Sequence, residues 1–334
     1  MLVSKKSFSF IVLAFNHENY IIEHLESIKY QVQHFGEAFD VAIIINDDYS
    51  SDKTKELVDK WLSLNHDLFF KIYKLYNDEN IGTCKSLCNA LNKLDSQYCK
   101  ITAGDDVYSS ENIFELVGLV DDFDIVSGLP VRLVDKLLYK DHGEIFNTIA
   151  TDTLYKKKPF NRRVEGINFI NAPNAMYSVK HLKNPSLMEF LNSFDVVEDW
   201  PLQIFISDTE NAKCQTVDKS YVYYRRTSGS TFLVASARFR VDVLAIYSFL
   251  IEKQTNFFKK MLLRNRRFCF LLDSRILKKI FNLSIYLYVM NVFLYLPAVM
   301  YRLLNLKINI DEYSKHYLEI LNNVNSFKKY LENK

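Results

Sequence analysis

Cysteine is scarce in this chain of 334 residues, and its positions exclude the common zinc sites. The five cysteines are odd in number, and no spacing between them matches a Cys₄ or Cys₂His₂ site. Cys84 and Cys88 lie one helical turn apart and are predicted to be core residues. The N-terminal apolar run is too short for a secretory signal. Reduced thiols and this N-terminus together predict a cytoplasmic protein.

Net charge is also low, at +2, which argues against a dedicated nucleic-acid-binding protein. The charge is unevenly distributed, because residues 252–307 contain 11 Lys or Arg and only two acids, Glu252 and Asp273. The rest of the chain is therefore net acidic. A basic, apolar segment on such a body predicts peripheral contact with an anionic membrane. With 49% apolar residues the chain can form a full core, as one large domain or two.

The first 120 residues alternate between strand and helix patterns. A continuous apolar run at residues 8–15 predicts a buried strand, residues 41–45 and 98–102 predict two further buried strands, and residues 69–75 predict a strand between them. Between them, residues 18–32, the segment "SSDKTKELVDKWLSL" and the segment "GTCKSLCNALNKL" have apolar side chains at helical spacing. This alternation predicts βαβ units and a mostly parallel sheet.

The pattern changes after about residue 121. Residues 124–139 predict one or two strands, and the polar residues 140–165 predict a mobile loop. A strand at "NAMYSV", a short helix at "VVEDWPLQIFISD" and two strands in "AKCQTVDKSYVYYRR" are expected to follow. From residue 230 onward the chain is predicted to be mostly helical. We therefore divide it into a catalytic region, 1–230, and a helical C-terminal region, 231–334.

Residues 280–301 contain no charged side chain and are long enough to span a bilayer. They also contain two Asn, a Pro and four Tyr, and both flanks are basic. This composition favours a helix in the headgroup layer over a transmembrane span. A buried helix, or a helix at the interface of a homo-oligomer, is the alternative.

Adjacent carboxylates follow two of the predicted strands. Asp105 and Asp106 come directly after the fourth strand, and Asp47 and Asp48 after the second. In an open α/β sheet this edge is where ligands bind. The pair Asp105–Asp106 suits a hard divalent cation, Mg²⁺ or Mn²⁺, that also bridges to phosphates. The alternative is a solvated turn that caps a helix starting at Ser109 or Ser110.

Two further segments contain polar side chains with a possible chemical role. In "VVEDWPL", Glu198 or Asp199 could serve as a general base, although acids are also common in the first turn of a helix. In "YYRRTSGST", Arg225 and Arg226 could hold a diphosphate, since guanidinium groups pair well with phosphate oxygens. An ordinary cationic strand end is the alternative for these arginines.

Over roughly residues 7–231 the chain resembles the family 2 glycosyltransferases with the GT-A fold, a Rossmann-like mixed sheet flanked by helices. The segment "FSFIVLAFNHENYI" resembles the opening strand and turn of that family, with Ala14 and Asn16 in the donor-binding positions. "IIINDDYSSDKT" resembles its Asp-Asp pair, and "NDENIGTCKSLCNAL" its Asn-x-Gly segment, with Asn80 and Gly82 in register.

The resemblance implies roles for the acidic residues. Asp48 would contact the base or ribose, Asp105 would be the main metal ligand with Asp106 supporting it, and Asp199 would be the catalytic base beside Glu198. The family often has an acid two residues before the metal Asp, where this chain has Ala103. The glycine usual after the Asp-Asp pair is Tyr49, and the final basic motif has Thr227 in place of a common His.

The implied reaction is an inverting transfer from a nucleotide-sugar donor, with a UDP-sugar expected. The acceptor would be a hydroxyl of a glycan or of a lipid-linked oligosaccharide in capsule or O-antigen synthesis. A degenerate, non-catalytic scaffold or glycan-binding subunit is the alternative. A sugar nucleotidyltransferase is disfavoured, because "AFNHENY" after the first strand has no glycine to form a phosphate-binding loop.

Overall fold

A four-stranded parallel sheet forms the centre of the N-terminal half. The computed structural model describes residues 5–226 and 237–333. The strands are β1 (Lys6–Ala14), β2 (Phe39–Asp47), β3 (Lys71–Tyr76) and β4 (Tyr98–Ala103). Their order is β3-β2-β1-β4 and all neighbours are parallel. The predicted parallel sheet is therefore confirmed.

The apolar runs of β1 and β2 are continuous because helices cover both faces of this sheet. Phe10 and Val12 pack in one core cluster with α1 (Ile21–Phe35) and α2 (Thr54–Asn65). Ile11 packs in another with α3 (Thr83–Leu91). Alternate residues of one strand thus belong to opposite faces, as the pleat requires.

The register aligns the carboxyl ends of the strands. Ala14 is the neighbour of Asp47, and Leu13 is the neighbour of Ala103. The amide of Asp48 donates to the carbonyl of Ala14 at 2.9 Å. The loops after β1, β2 and β4 consequently start side by side at one edge of the sheet.

Two smaller sheets extend the fold and make it a mixed α/β architecture. The first has the order β10-β6-β9, and the second has the order β5-β11-β7-β8. The pairs β6–β10 and β7–β11 are parallel, whereas β9, β5 and β8 pair antiparallel with their neighbours. These strands are β5 (Val107–Tyr108), β6 (Ile125–Ser127), β7 (Val131–Val134), β8 (Leu137–Tyr139), β9 (Ala175–Tyr177), β10 (Cys214–Thr216) and β11 (Val222–Arg225).

The prediction of a mobile loop at residues 140–165 is wrong. This segment forms α5 (His142–Tyr155) and α6 (Phe160–Glu165). Ile145 and Ile149 recur at helical spacing and are buried, so the helix is held by packing despite its polar composition. Short helices also occur at α4 (Leu116–Val120), α7 (Val179–Leu182) and α8 (Pro185–Leu191), and α9 (Asp199–Ser207) confirms the predicted helix after "VVE".

The described part of the C-terminal region is helical, as predicted, but residues 280–301 are not one helix. Two helices cover most of them, α13 (Leu283–Leu294) and α14 (Leu296–Leu304), and the axes of these two helices form a bend of 72°. No single helix of the described residues is long and apolar enough to cross a membrane; only this bent pair reaches that length and composition together. The helices are α10 (Ala237–Lys253), α11 (Phe257–Leu271), α12 (Arg275–Ile280), α13 (Leu283–Leu294), α14 (Leu296–Leu304) and α15 (Ile310–Glu332).

The last helix returns to the N-terminal half of the molecule. Ile320, Val324 and Phe327 of α15 belong to the same core cluster as Phe8 and Phe10 of β1. The C-terminal region therefore shares a core with the central sheet, although we divided the sequence at residue 230.

Candidate active site

The loops after β1 and β2 are tied together by their own polar groups. Asn16 adopts a positive φ of 54°, and its side-chain oxygen accepts a hydrogen bond from the amide of Ser51 at 2.9 Å. Asp47 is buried and accepts hydrogen bonds from the amide and hydroxyl of Ser50. The side chain of Ala14 is buried beneath this turn. These residues, predicted to bind the donor, shape the sheet edge in the structure.

Asp48 organises the neighbouring loop after β3. Its carboxylate accepts hydrogen bonds from the amides of Ile81 and Gly82, both at 2.9 Å, and from the side chain of Asn77 at 2.9 Å. Asp48 is only 6% exposed. Within the described residues its carboxylate thus supports the start of α3, and its contact with a base or ribose stays a prediction.

Gly82 is required where α3 begins. Its φ is 90°, a backbone conformation that residues with a Cβ rarely adopt. A Cβ there would lie 2.1 Å from Oδ1 of Asp195. Asn80 accepts a hydrogen bond from Arg238 at 2.7 Å, and Arg238 also pairs with Asp195. Asn80 and Gly82 therefore join the sheet edge to the segment before α9.

Asp242 is a positioning residue that the sequence analysis missed. It is 3% exposed, and its carboxylate accepts backbone N–H groups from Asp195, Val196 and Val197 at 2.7–3.1 Å. These bonds fix the segment that leads into Glu198. The sequence feature that could have pointed to Asp242 is its position as a single acid within the apolar stretch "VDVLAIY" of α10.

The acid pair after β4 is anchored from several sides. Asp106 is 2% exposed, and its Oδ1 accepts a hydrogen bond from the amide of Arg225 at 2.9 Å. Nε of Arg225 donates to the carbonyl of Asp105 at 2.5 Å. The ring of His24 lies 2.8 Å from the carbonyl of Asp106. Burial lowers the pKa of His24 to about 3, so the ring is neutral there.

The carboxylates of this pair repel each other. Burial, followed by the negative charge of Asp105, raises the pKa of Asp106 well above its usual range. Asp105 is partly exposed and can contact a ligand directly. The alternative, a turn that caps a helix starting at Ser109 or Ser110, is not seen, because the next helical turn, Ile113–Glu115, is capped by Asn112.

Two carboxylates fit a divalent cation that takes its other ligands from phosphates and water. Among residues 5–226 and 237–333, no group of three His, Cys, Asp or Glu side chains could hold a metal ion alone. One oxygen of Asp106 is already bonded to a backbone amide. Asp105 would therefore be the main ligand for Mg²⁺ or Mn²⁺, with Asp106 supporting it.

Arg225 and Arg226 are placed differently from the prediction that they hold a diphosphate. Arg225 is 5% exposed, and its guanidinium pairs with Glu23 of α1. Arg226 pairs with Glu144 of α5 at 2.8 Å. Both cations are neutralised by carboxylates, so their described contacts support the acid pair and the neighbouring strands. The Ser/Gly-rich turn at 227–231, including Thr227, lies outside the described residues.

Glu198 and Asp199 form the second acidic position, at the start of α9. Both side chains are partly exposed, and Oδ1 of Asp199 accepts the amide of Trp200 at 2.8 Å. Burial raises the pKa of Asp199, and burial followed by the charge of Asp199 raises the pKa of Glu198. A carboxylate with a raised pKa is a stronger base once it is ionised.

The phenol of Tyr224 on β11 is affected by the charges of both acidic positions. Its pKa is raised by burial and by the negative charges of Asp106, Asp105 and Asp199. The acid pair and Asp199 are 93 positions apart in sequence, counted from Asp106. Both predicted positions therefore act electrostatically on one tyrosine of β11.

Comparison with known proteins gives two kinds of similarity. The abequosyltransferase RfbV of Salmonella typhimurium is 28% identical over 113 residues, which are 34% of this chain and 32% of that protein. This chain thus matches about a third of that relative's length. S. aureus TarS 1–349 in complex with UDP-GlcNAc has a TM-score of 0.53 and 15% identity, over 95% of this chain and 92% of that chain.

A second solved structure and the family model complete these findings. The mannosyltransferase PcManGT from Pyrobaculum calidifontis, in complex with GDP-Man and Mn²⁺, has a TM-score of 0.55 at 14% identity, over 96% of this chain and 86% of that chain. These structures share the GT-A fold, with a parallel sheet flanked by helices. The model described as glycosyl transferase family 2 matches residues 9–184, more than half of the chain. The chain therefore belongs to glycosyl transferase family 2.

Proposed function

We propose that this protein transfers a sugar from a nucleotide-sugar donor to an acceptor hydroxyl with inversion at the anomeric carbon. The observation that carries the proposal is that an acid pair follows β4 at the sheet edge, while Arg238 joins the loop of Asn80 at the same edge to Asp195, four residues before Asp199. A transferase of this kind needs a cation near the leaving diphosphate and a base near the acceptor. In this proposal the acid pair at the sheet edge provides the first position and Asp199 at the start of α9 provides the second.

Asp199 is the base of the proposed reaction. It takes the proton of the acceptor hydroxyl, whose oxygen then attacks the anomeric carbon while the bond to the diphosphate breaks. One positioned carboxylate is sufficient for this displacement, so no covalent sugar–enzyme intermediate is expected. Burial, followed by the negative charge of Asp199, raises the pKa of the neighbouring Glu198, so Glu198 holds its proton to higher pH than an ordinary glutamate.

The acid pair holds the diphosphate end of the donor. A divalent cation bound there would neutralise the charge of the departing nucleoside diphosphate. Asp105 would hold it directly, while Arg225 fixes the backbone of the pair and keeps Asp106 oriented. Asp48 keeps the loop at residues 80–82 in place, which forms the adjacent wall of the donor site.

We propose a UDP-sugar as the donor and a glycan or lipid-linked oligosaccharide as the acceptor. The TarS structure in complex with UDP-GlcNAc supports this nucleotide, and the PcManGT complex makes GDP the second choice. Similarity to an abequosyltransferase supports a sugar-transfer role. Together with the basic, apolar C-terminal helices, it favours assembly of a surface polysaccharide, capsule or O-antigen, at the inner face of the cell membrane.

A donor screen tests the proposal. Purified protein is incubated with UDP-, GDP- and other nucleotide sugars in the presence of Mn²⁺, and release of the nucleoside diphosphate is measured. We expect metal-dependent turnover of one donor, and its loss in Asp105→Ala. Asp208→Ala is the matched control, because Asp208 is an exposed acid that pairs with Lys253 at the end of α9.

The alternative is a degenerate scaffold or glycan-binding subunit, which Ala103 in the usual metal-acid position favours. Absence of metal-dependent nucleotide binding across the whole donor panel would support that alternative and contradict the transferase. Equal loss of turnover in Asp105→Ala and Asp208→Ala would also contradict the assigned role of the acid pair.

A further inference from the structure

The helices α11–α14 expose large apolar side chains to an extent that is unusual for a protein surface. Phe293, Leu294 and Leu304 are 74%, 76% and 80% exposed, and Phe257 is 81% exposed. We call the outer side of α11–α14 the apolar–basic face. Leaving side chains of this size in water costs free energy that contact with another apolar phase would recover.

On α13 the exposed residues form one stripe. Leu283, Tyr286, Met290 and Phe293 recur every three or four positions and are all exposed. The opposite side of the helix faces the protein, where Val292 and Ser284 are buried and Tyr288 donates to Asn147 of α5 at 3.0 Å. The apolar stripe therefore points away from the body of the molecule.

The next helix is built in the same way. Val299 of α14 is fully buried, and Arg302 pairs with Asp152 and Asp218 at 2.7 Å each. Tyr301 and Leu304 remain exposed on the other side. Neither α13 nor α14 is long enough by itself to cross a bilayer, and their axes are bent by 72°.

The positive charge of the apolar–basic face indicates which kind of partner it can bind. Residues 257–307 contain ten Lys or Arg and one acid, Asp273. Arg264, Arg267, Arg275 and Lys279 are exposed among the apolar side chains. Two copies of the face would bring like charges together, which disfavours self-association. An apolar surface bordered by cations is complementary to anionic lipid headgroups above acyl chains.

We propose that the apolar–basic face docks on an anionic lipid bilayer, with α13 and α14 lying in the headgroup layer. The face is coupled to the active site through α5, which contacts α13 through Asn147 and holds Arg226 through Glu144. Docking would thus hold the catalytic site at a fixed distance from the membrane surface. The link to a lipid-linked acceptor rests on the proposed function, whereas the docking itself does not.

Co-sedimentation with vesicles tests the docking without any catalytic step. The full chain is mixed with vesicles of phosphatidylcholine alone, or of phosphatidylcholine with one quarter phosphatidylglycerol, at low and high NaCl. We expect binding to the anionic vesicles that weakens as salt rises. The double variant Phe293→Asp/Leu294→Asp should bind at least about tenfold more weakly, and Arg275→Glu/Lys279→Glu should lose about as much at low salt.

Phe70→Asp is the matched control, because Phe70 is 69% exposed but lies beside β3, far from α11–α14 in sequence. Its vesicle binding should equal that of the wild type, and circular dichroism checks that each variant is folded. The proposal is overturned if the wild type does not bind anionic vesicles or if Phe70→Asp weakens binding as much as Phe293→Asp/Leu294→Asp. It is also overturned if light scattering shows a dimer that Phe293→Asp/Leu294→Asp dissociates. Donor turnover measured in solution keeps this result separate from the proposed function.

Discussion

At the scale of single residues, the acid pair is held by a series of hydrogen bonds and an ion pair that begins in the last helix. The hydroxyl of Tyr317 donates to Oε2 of Glu23 at 2.7 Å, and the same carboxylate pairs with buried Arg225. Arg225 in turn bonds the backbone of Asp105 and the carboxylate of Asp106. Removing one member should therefore affect both stability and the acid pair.

Glu23→Gln leaves the buried guanidinium of Arg225 without its counter-charge. Breaking a buried ion pair in this way costs about 3–5 kcal/mol of the free energy of unfolding. Tyr317→Phe removes one hydrogen bond to a charged group and should cost about 1.5–3 kcal/mol. Urea denaturation measures both. A loss in Glu23→Gln no larger than that in Tyr317→Phe would contradict the assignment of Arg225 as a buried partner of Glu23.

The raised pKa of Asp199 predicts the pH dependence of the reaction. A base must be ionised to accept a proton, and burial shifts ionisation of this carboxyl to higher pH than usual. The value of kcat/KM should therefore rise with pH through a limb that lies above the ordinary Asp range near 3.9. Initial rates between pH 4 and 9 measure it. A profile that is flat from pH 4 upward would contradict the role of Asp199.

At the scale of secondary-structure elements, the entry to α3 is the most constrained connection. Gly82→Ala would place a Cβ 2.1 Å from Asp195 and force alanine into a φ of 90°. Such strain costs about 1–3 kcal/mol. Gly118→Ala in α4 is the control, because a Cβ there has no atom within 4 Å and alanine favours the helix. In thermal unfolding, Gly82→Ala should therefore have a lower melting temperature than Gly118→Ala. Equal melting temperatures of the two variants would contradict the strained geometry at Gly82.

Several elements were predictable from local pattern, and others were not. The strands β1, β2 and β4 are continuous apolar runs, which leave little ambiguity when helices cover both sheet faces. The helix α5 was missed because "KKKPFNRR" and the polar residues around it mask the spacing of Ile145 and Ile149. The break between α13 and α14 at Tyr295 was also missed, although Pro297 in the first turn of α14 is a common helix start.

The roles of charged residues in the site were less predictable than the strands. Arg225 meets Glu23 across 202 positions, and Tyr317 meets Glu23 across 294 positions. No local spacing encodes such contacts, so Arg225 was interpreted as a phosphate ligand when its described partners are carboxylate and backbone oxygens. Asp105, Asp106 and Asp199 could be predicted as candidate site residues because strand ends and helix starts are visible in sequence.

At the scale of the whole molecule, α15 and the central sheet share one core cluster. Ile320 is fully buried there, so Ile320→Ala should cost about 2–5 kcal/mol and lower the stability of the N-terminal half as well. Leu318→Ala is the matched control, because Leu318 lies two positions away on the same helix and is 57% exposed. It should change stability by less than about 0.5 kcal/mol.

Chemical denaturation monitored by tryptophan fluorescence reports unfolding of the N-terminal half, because Trp61 is fully buried in the same core cluster as Ile320. A single transition is expected that shifts to lower denaturant in Ile320→Ala and stays in place in Leu318→Ala. Two separate transitions, with only the second sensitive to Ile320, would contradict a shared core and favour an independent C-terminal domain.

The same organisation joins the helices of the apolar–basic face, the acid pair and the proposed base in one molecule. α5 connects α13 and α14 to Arg226, and α15 reaches Glu23 beneath the acid pair. In the proposed reaction Asp199 takes the proton of the acceptor while the sheet edge binds the donor. These two functions can be separated experimentally, because Asp199 lies on α9 and the donor-binding positions lie on the strand ends.

The most direct measurement is turnover and donor affinity of Asp199→Asn with the donor identified by the screen. Asparagine preserves the shape of the side chain but cannot take a proton. We expect the rate to fall by about 10²–10⁴-fold, whereas the dissociation constant of the donor should stay within about twofold of the wild-type value. A rate within a few-fold of the wild type, or loss of donor binding in step with the rate, would contradict this expectation.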